Sequence, residues 1–96
     1  MADGLRDLGQ IEEAKKIYWE LVYGASSKLA EATYRQHLGK VYFVAGNFQS
    51  ALEQFEHALQ IRLDYKADED LVSSARLAVE RTGSLVSEET ASQNSA

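Results

Sequence analysis

At 96 residues, with 45% hydrophobic side chains, no proline and no cysteine, the chain is one small domain suited to helices, and it excludes a disulfide framework, a thiolate metal site and a cysteine nucleophile. The 15 acidic and 10 basic residues leave a net charge of −5, the opposite of what a phosphate backbone or an anionic membrane surface attracts. No apolar run approaches the roughly 18 residues of a membrane span, and Met1 to Leu8 has neither the basic start nor the apolar stretch of a signal peptide, so a cytoplasmic setting is expected.

Apolar positions then recur with helical spacing. Ile11, Ala14, Ile17, Tyr18, Leu21 and Val22 lie on one face, with Glu12, Glu13, Lys15, Lys16 and Glu20 mostly between them, which predicts an amphipathic helix from Ile11 to Tyr23. Gly24-Ala25-Ser26-Ser27 interrupts it, offering a permissive glycine near the helix end and a serine able to cap the next helix. Ala30, Tyr34, Leu38, Val41, Tyr42 and Ala45 form the stripe of a second helix. It ends at Gly46-Asn47, where glycine can turn left-handed and asparagine can cap a third helix. That third helix, from about Phe48 to about Tyr65, carries Ala51, Leu52, Phe55, Ala58, Leu59 and Leu63.

Lys66-Ala67-Asp68-Glu69-Asp70 reads as a loop entering a helix, because acidic side chains favour the positive end of the helix dipole. The same three acids could ligate a hard cation, but complementing the dipole is the ordinary role of acids in a first turn. Leu71, Val72, Ala75, Ala78 and Val79 make the apolar side of a fourth helix, expected to close at Thr82-Gly83. Beyond Glu88 the chain has almost nothing to bury. Residues 1–86 are therefore expected as the helical domain and residues 87–96 as a polar disordered tail or a frayed helix end.

Gly9, Gly46 and Gly83 stand 37 residues apart, and Ala14 and Ala51 follow the first two at the same interval. A period between about 20 and 50 residues marks stacked supersecondary units that cannot bury their apolar faces alone. Function in such arrays lies on a surface rather than in a catalytic pocket.

From Leu38 to Ala58 the residues Leu38-Gly39, Tyr42, Gly46, Ala51, Phe55 and Ala58 resemble the tetratricopeptide repeat signature, in which an L-G pair, a tyrosine beyond it and an A-x-x-x-F run mark two antiparallel helices. Each position has a steric reason: Gly39 and Ala51 are small where the paired helices approach, and Tyr42 and Phe55 fill the gap between them. Applied by the 37-residue offset, the resemblance covers about 80 residues. The first unit keeps Gly9, Ala14 and Tyr18, has Leu21 in place of an alanine, and has its first helix cut to Ala2 through Leu8. The third keeps Gly83 and the preceding helix, with Glu88 where a small alanine belongs. Arg35 replaces the usual tryptophan and Leu63 the terminating proline, so the second helix of the unit can extend, as in the longer-helix variants with an A-L-x-I-R stretch like Ala58-Leu59-Gln60-Ile61-Arg62.

The resemblance implies an all-α fold: antiparallel helical hairpins stacked as a short right-handed α-solenoid of about two and a half repeats. The first helices would line a concave groove that holds a peptide or helix of a partner protein. Carried onto this chain, the groove comprises Gln36, His37, Lys40, Phe43 and Val44 on one hairpin and Asp70, Ser73, Ser74, Leu77 and Arg81 on the next. Phe43 is the expected apolar anchor. The best-known subtype clamps a partner's C-terminal carboxylate with several lysine, arginine and asparagine side chains. Here Gln36, Asp70, Ser73 and Ser74 take most of those places and Lys40 alone is insufficient, so that role is not expected.

Catalytic and metal signals are weak. His37 and His57 are on different predicted helices with no second histidine one turn away, and Glu53 with His57 lacks the doubled Glu-x-x-His spacing of a bundle di-metal centre; solvated surface explains them better. Ser26, Ser27, Ser73 and Ser74 stand in no nucleophile-elbow sequence, and no glycine-rich phosphate loop is present. Tyr18 is expected in the core and Trp19 as partial cover for an adjacent helix. The expectation is a protein-interaction module that is not an enzyme and takes no cofactor, metal, nucleic acid or membrane. The alternative is a structural or self-associating fragment of a longer helical-repeat scaffold, forming a homo-oligomer through open repeat ends.

Overall fold

The computed structural model describes residues 8–94. They form four helices and, among the described residues, no strand: α1 (Leu8–Tyr23), α2 (Lys28–Val44), α3 (Phe48–Asp64) and α4 (Glu69–Asn94). Each helix packs against the next one in sequence, α1 on α2, α2 on α3 and α3 on α4. The linkers are only three or four residues long, so successive helices run antiparallel. The expected short helix from Ala2 lies outside the described residues except for Leu8, which opens α1 three positions ahead of the predicted start at Ile11.

Local chemistry sets the helix ends. Ser27 Oγ accepts from the backbone N–H of Ala30 at 3.1 Å and Asn47 Oδ1 from that of Ser50 at 3.3 Å, satisfying donors that the first turns of α2 and α3 leave free. Gly46 has φ 84°, and the N–H groups of Gly46 and Asn47 return to Phe43 and Tyr42 carbonyls. This is the left-handed close that glycine supplies without a Cβ penalty. The end of α3 has the same geometry, with N–H groups of Lys66 and Ala67 bonded to Leu63 and Arg62 carbonyls, but the left-handed residue is Lys66, φ 55°.

The fourth helix corrects the sequence-based boundary. It does not close at Thr82-Gly83 but runs on to Asn94, through the expected 86/87 boundary and with Ser87, Glu88, Glu89 and Thr90 all exposed. The cause is the chemistry beyond Gly83. By the 37-residue offset Glu88 falls at the place of Ala51 and Ser92 at that of Phe55, so a helix folded back here would have no apolar face to bury, and straight continuation sacrifices no packing.

Small residues let the helices approach closely. A Cβ on Gly39 of α2 would stand 2.5 Å from the Phe55 ring of α3, and Ala32, Ala58 and Ile61 form a buried cluster across the same pair. Polar side chains bridge the remaining gaps: Arg35 donates to Glu31 and to Gln54 Oε1, each at 2.8 Å, and stands 5.6 Å over the Trp19 ring of α1. Trp19 Nε1 in turn donates to Tyr42 Oη at 3.1 Å. Trp19 thus covers α2, as its position predicts. Arg35 takes the place of the expected tryptophan by tying α1, α2 and α3 together. At the other side the buried Arg62 guanidinium donates to the Leu71 carbonyl of α4 at 3.1 Å; burial lowers its pKa.

Candidate functional site

The residues expected to line a groove separate into four environments. His37, Lys40 and Val44 stand three and four residues apart on α2, one turn after another on a single edge. With Gln10, Ile11, Ala14 and Tyr18 of α1, and Val41, they line a cleft of about 230 Å³. His37 is not simply a solvated side chain: its ring stacks on Tyr18 at 5.6 Å. Burial, then the nearby Lys40 and Arg62 charges, hold its pKa below the ordinary 6.5. Tyr18 is correspondingly half-buried at the cleft wall rather than part of the core.

Gln36 is turned inward. It is 6% exposed, and its Oε1 has no hydrogen-bond partner among the described residues. Its burial comes from neighbours that the α2 sequence alone does not reveal. Phe43 is 36% exposed and meets Phe48 of α3 edge-on at 5.0 Å, so one side of its ring is packed and the other is open.

The second group lies on α4. Asp70, Ser73, Ser74, Leu77 and Arg81 are all exposed and share one helix face by their spacing. No hydrogen bond, ion pair or ring contact among the described residues joins them to the α2 group. They are register partners, however, since His37, Lys40 and Val44 correspond to Ser74, Leu77 and Arg81 by the 37-residue offset.

Sequence reasoning assigned no part of the site to α1. The signal was available in the repeat itself, because Ala14 and Tyr18 stand where Ala51 and Phe55 stand one unit later, so whatever surface α2 meets on α3 has a counterpart on α1. Elsewhere, the Arg35 hydrogen bond, with Lys28 nearby, holds the Glu31 carboxyl below its ordinary value against the opposing effect of burial. Burial and the Arg35 charge lower His57. Among the described residues no three His, Cys, Asp or Glu side chains gather as a metal site, and no helix is long and apolar enough to cross a membrane.

Comparison with curated proteins and with solved structures finds no match. Comparison with protein families does: residues 32–63 fit the family described as tetratricopeptide repeat. That span opens at Ala32, within the first turns of α2, and closes at Leu63, one residue before the end of α3. It contains the Gly39–Phe55 contact, the left-handed Gly46 and the Asn47 cap. Residues 32–63, most of the α2–α3 hairpin and one third of the chain, are thus similar to a tetratricopeptide repeat.

Proposed function

We propose that this chain is a non-enzymatic protein-interaction module that holds a peptide or helix of a partner protein along the first helices of its units, α2 and α4. Members of the tetratricopeptide repeat family generally mediate protein–protein interaction. The observation that carries the reading is the exposure of Phe43, Val44 and Leu77 on those two helices, apolar side chains accompanied by His37, Lys40, Asp70, Ser73, Ser74 and Arg81. Apolar anchors within a polar surround are the composition of a protein-binding patch. Gln36 supports it from beneath rather than by contact.

The test begins with capture of a partner from the source cells, followed by titration against Lys40→Glu, Phe43→Ala and Leu77→Asp. Lys40 and Leu77 are exposed, so their variants should bind more weakly with helicity and melting temperature unchanged. An exposed charge contact at Lys40 is worth about 0.2–1 kcal/mol and weakens with salt. Phe43→Ala should lose both affinity and some stability, because its edge contact with Phe48 contributes about 0.5–1.5 kcal/mol. Unchanged affinity in all three variants moves the binding surface elsewhere.

A further inference from the structure

Of the four helices, α2 alone carries net positive charge. Lys28, Arg35 and Lys40 stand there against Glu31, in a chain of net charge −5, and Glu31 is already held by Lys28 at 3.4 Å and by Arg35 at 2.8 Å. Lys40 is exposed and enters no ion pair among the described residues. One turn before it, His37 is exposed on the same edge, its ring resting on Tyr18 at 5.6 Å. The groups around that imidazole come from three helices. From α1 come Tyr18 and the uncharged Gln10, Ile11 and Ala14. Lys40 of α2 and the buried Arg62 of α3 are the charges that act on it, and both are positive. The acid that α4 places on the same surface, Asp70, corresponds by the 37-residue offset to Thr33, a turn before His37. Positive charge is thus concentrated at this edge of an acidic molecule.

We infer that the His37–Lys40 edge is a proton-coupled anion contact within the α2–α4 surface: the partner segment held there presents carboxylates, and its binding loads a proton onto His37, so affinity rises as pH falls. The inference rests on the α2–α4 reading and adds the partner's chemistry and its regulation. In the free protein burial, Lys40 and Arg62 all disfavour the imidazolium. A carboxylate accepting from the His37 ring N–H supplies the opposite charge and favours it. The stack on Tyr18 survives the change, because a cation is attracted to an aromatic face. The sign follows by linkage. His37 titrates below 6.5 when free and higher when bound, so between the two values the complex holds a proton that the free protein lacks. Affinity climbs through that window, by at most about tenfold per pH unit, and is level above it.

The probe is a rhodamine-labelled synthetic peptide repeating Asp-Asp-Leu, with Asn-Asn-Leu as its uncharged control, titrated by anisotropy against the whole protein. The acidic peptide should bind saturably and tighten about threefold or more between about pH 7.5 and about pH 5.5, while its aspartates stay ionised. His37→Gln should flatten that dependence, and His57→Gln, at the other histidine, should keep it. Lys40→Gln should weaken binding at every pH. NMR of the unaltered protein should show the His37 titration moving up when the acidic peptide is added. No saturable binding of the acidic peptide, a flat profile, a slope that survives His37→Gln, or an unmoved His37 titration overturns the inference. So does a His37 titration in the free protein that falls on replacing Asp3 and Asp7 by asparagine, since this chain's own acids then make the contact. Sedimentation showing a dimer that forms on acidification and is lost in His37→Gln overturns it as well. The α2–α4 reading fails separately: a slope that depends on His37 with Leu77→Asp and Phe43→Ala both without effect sinks that reading, whereas equal, pH-independent binding of both peptides that those variants weaken sinks this inference and leaves the reading standing.

Discussion

Gly39→Ala adds one methyl group at the closest approach of α2 and α3, and the surroundings determine its cost. The new Cβ would lie 2.5, 2.7 and 3.0 Å from three carbons of the Phe55 ring. The ring is almost fully buried and its neighbour Ala51 is completely so, which leaves Phe55 little room to withdraw. Overpacking of this kind costs about 1–3 kcal/mol, while replacing a mid-helix glycine by alanine returns roughly 0.5–1 kcal/mol of backbone entropy. The net expectation is a loss of about 0.5–2 kcal/mol, or roughly 2–15 °C in melting temperature for a domain of this size. Gly83→Ala is the matched control: Gly83 is also helical, has an ordinary φ, and nothing stands within 4 Å of an added Cβ. It should gain about 0.5–1 kcal/mol. Urea denaturation followed by circular dichroism measures both. A Gly39→Ala variant as stable as the parent would refute the packing argument and, with it, the assignment of Gly39 to the helix crossing.

Lys66→Gly should stabilise the chain by about 0.5–1 kcal/mol, because Lys66 occupies a left-handed conformation at the end of α3 that costs a side-chain-bearing residue about 1–2 kcal/mol, partly offset by the greater freedom glycine gives the unfolded chain; a lower denaturation midpoint would contradict it. Thr82→Val should be neutral or stabilising by up to about 1 kcal/mol, since the Thr82 hydroxyl is fully buried without a hydrogen-bond partner among the described residues; a clear loss would reveal a partner for that oxygen. Acid should destabilise the protein: Glu31 lies below its ordinary 4.5 and His37 below 6.5, so for both groups the unfolded chain binds protons where the folded chain does not. Their contribution is complete above the unfolded values and lost as pH falls through the folded ones. The midpoint should therefore drop between about pH 7 and about pH 4, less steeply at the acidic end in Arg35→Gln, and a flat profile would exclude this linkage.

The helical reading came from periodicity, and it placed α2 and α3 within a few residues because Ser27, Gly46 and Asn47 act locally. The same type of signal misled at Gly83. Gly46 and Gly83 look alike in sequence, but only the former is followed by a segment with an apolar face, and a turn forms when both sides have something to bury. Lys66 was not legible as a left-handed residue, because the α3 end is set by the return of Ala67 and Lys66 to Arg62 and Leu63 rather than by a residue suited to that conformation. At the site, register alone was enough to put Lys40, Val44, Leu77 and Arg81 on exposed faces. Register could not report that Gln36 turns inward or that His37 rests on Tyr18, since both depend on what neighbouring helices contribute.

The two sides of the stack are chemically unlike, and the repeat offset explains why. On α4 the exposed positions include Asp70, Ser73, Ser74, Glu80 and Arg81, with Leu71 and Leu77 as exposed large apolar residues. The segment that would fold back as the next helix carries Glu88 and Ser92 in place of the Ala51 and Phe55 pair. A polar outer face that gives a further helix no apolar hold is how a helical array is closed. On α1 the corresponding chemistry is inverted: Ala14 and Tyr18 keep the small and aromatic pair, and Ile17 and Leu21 enlarge the apolar surface beyond what α3 uses against α2.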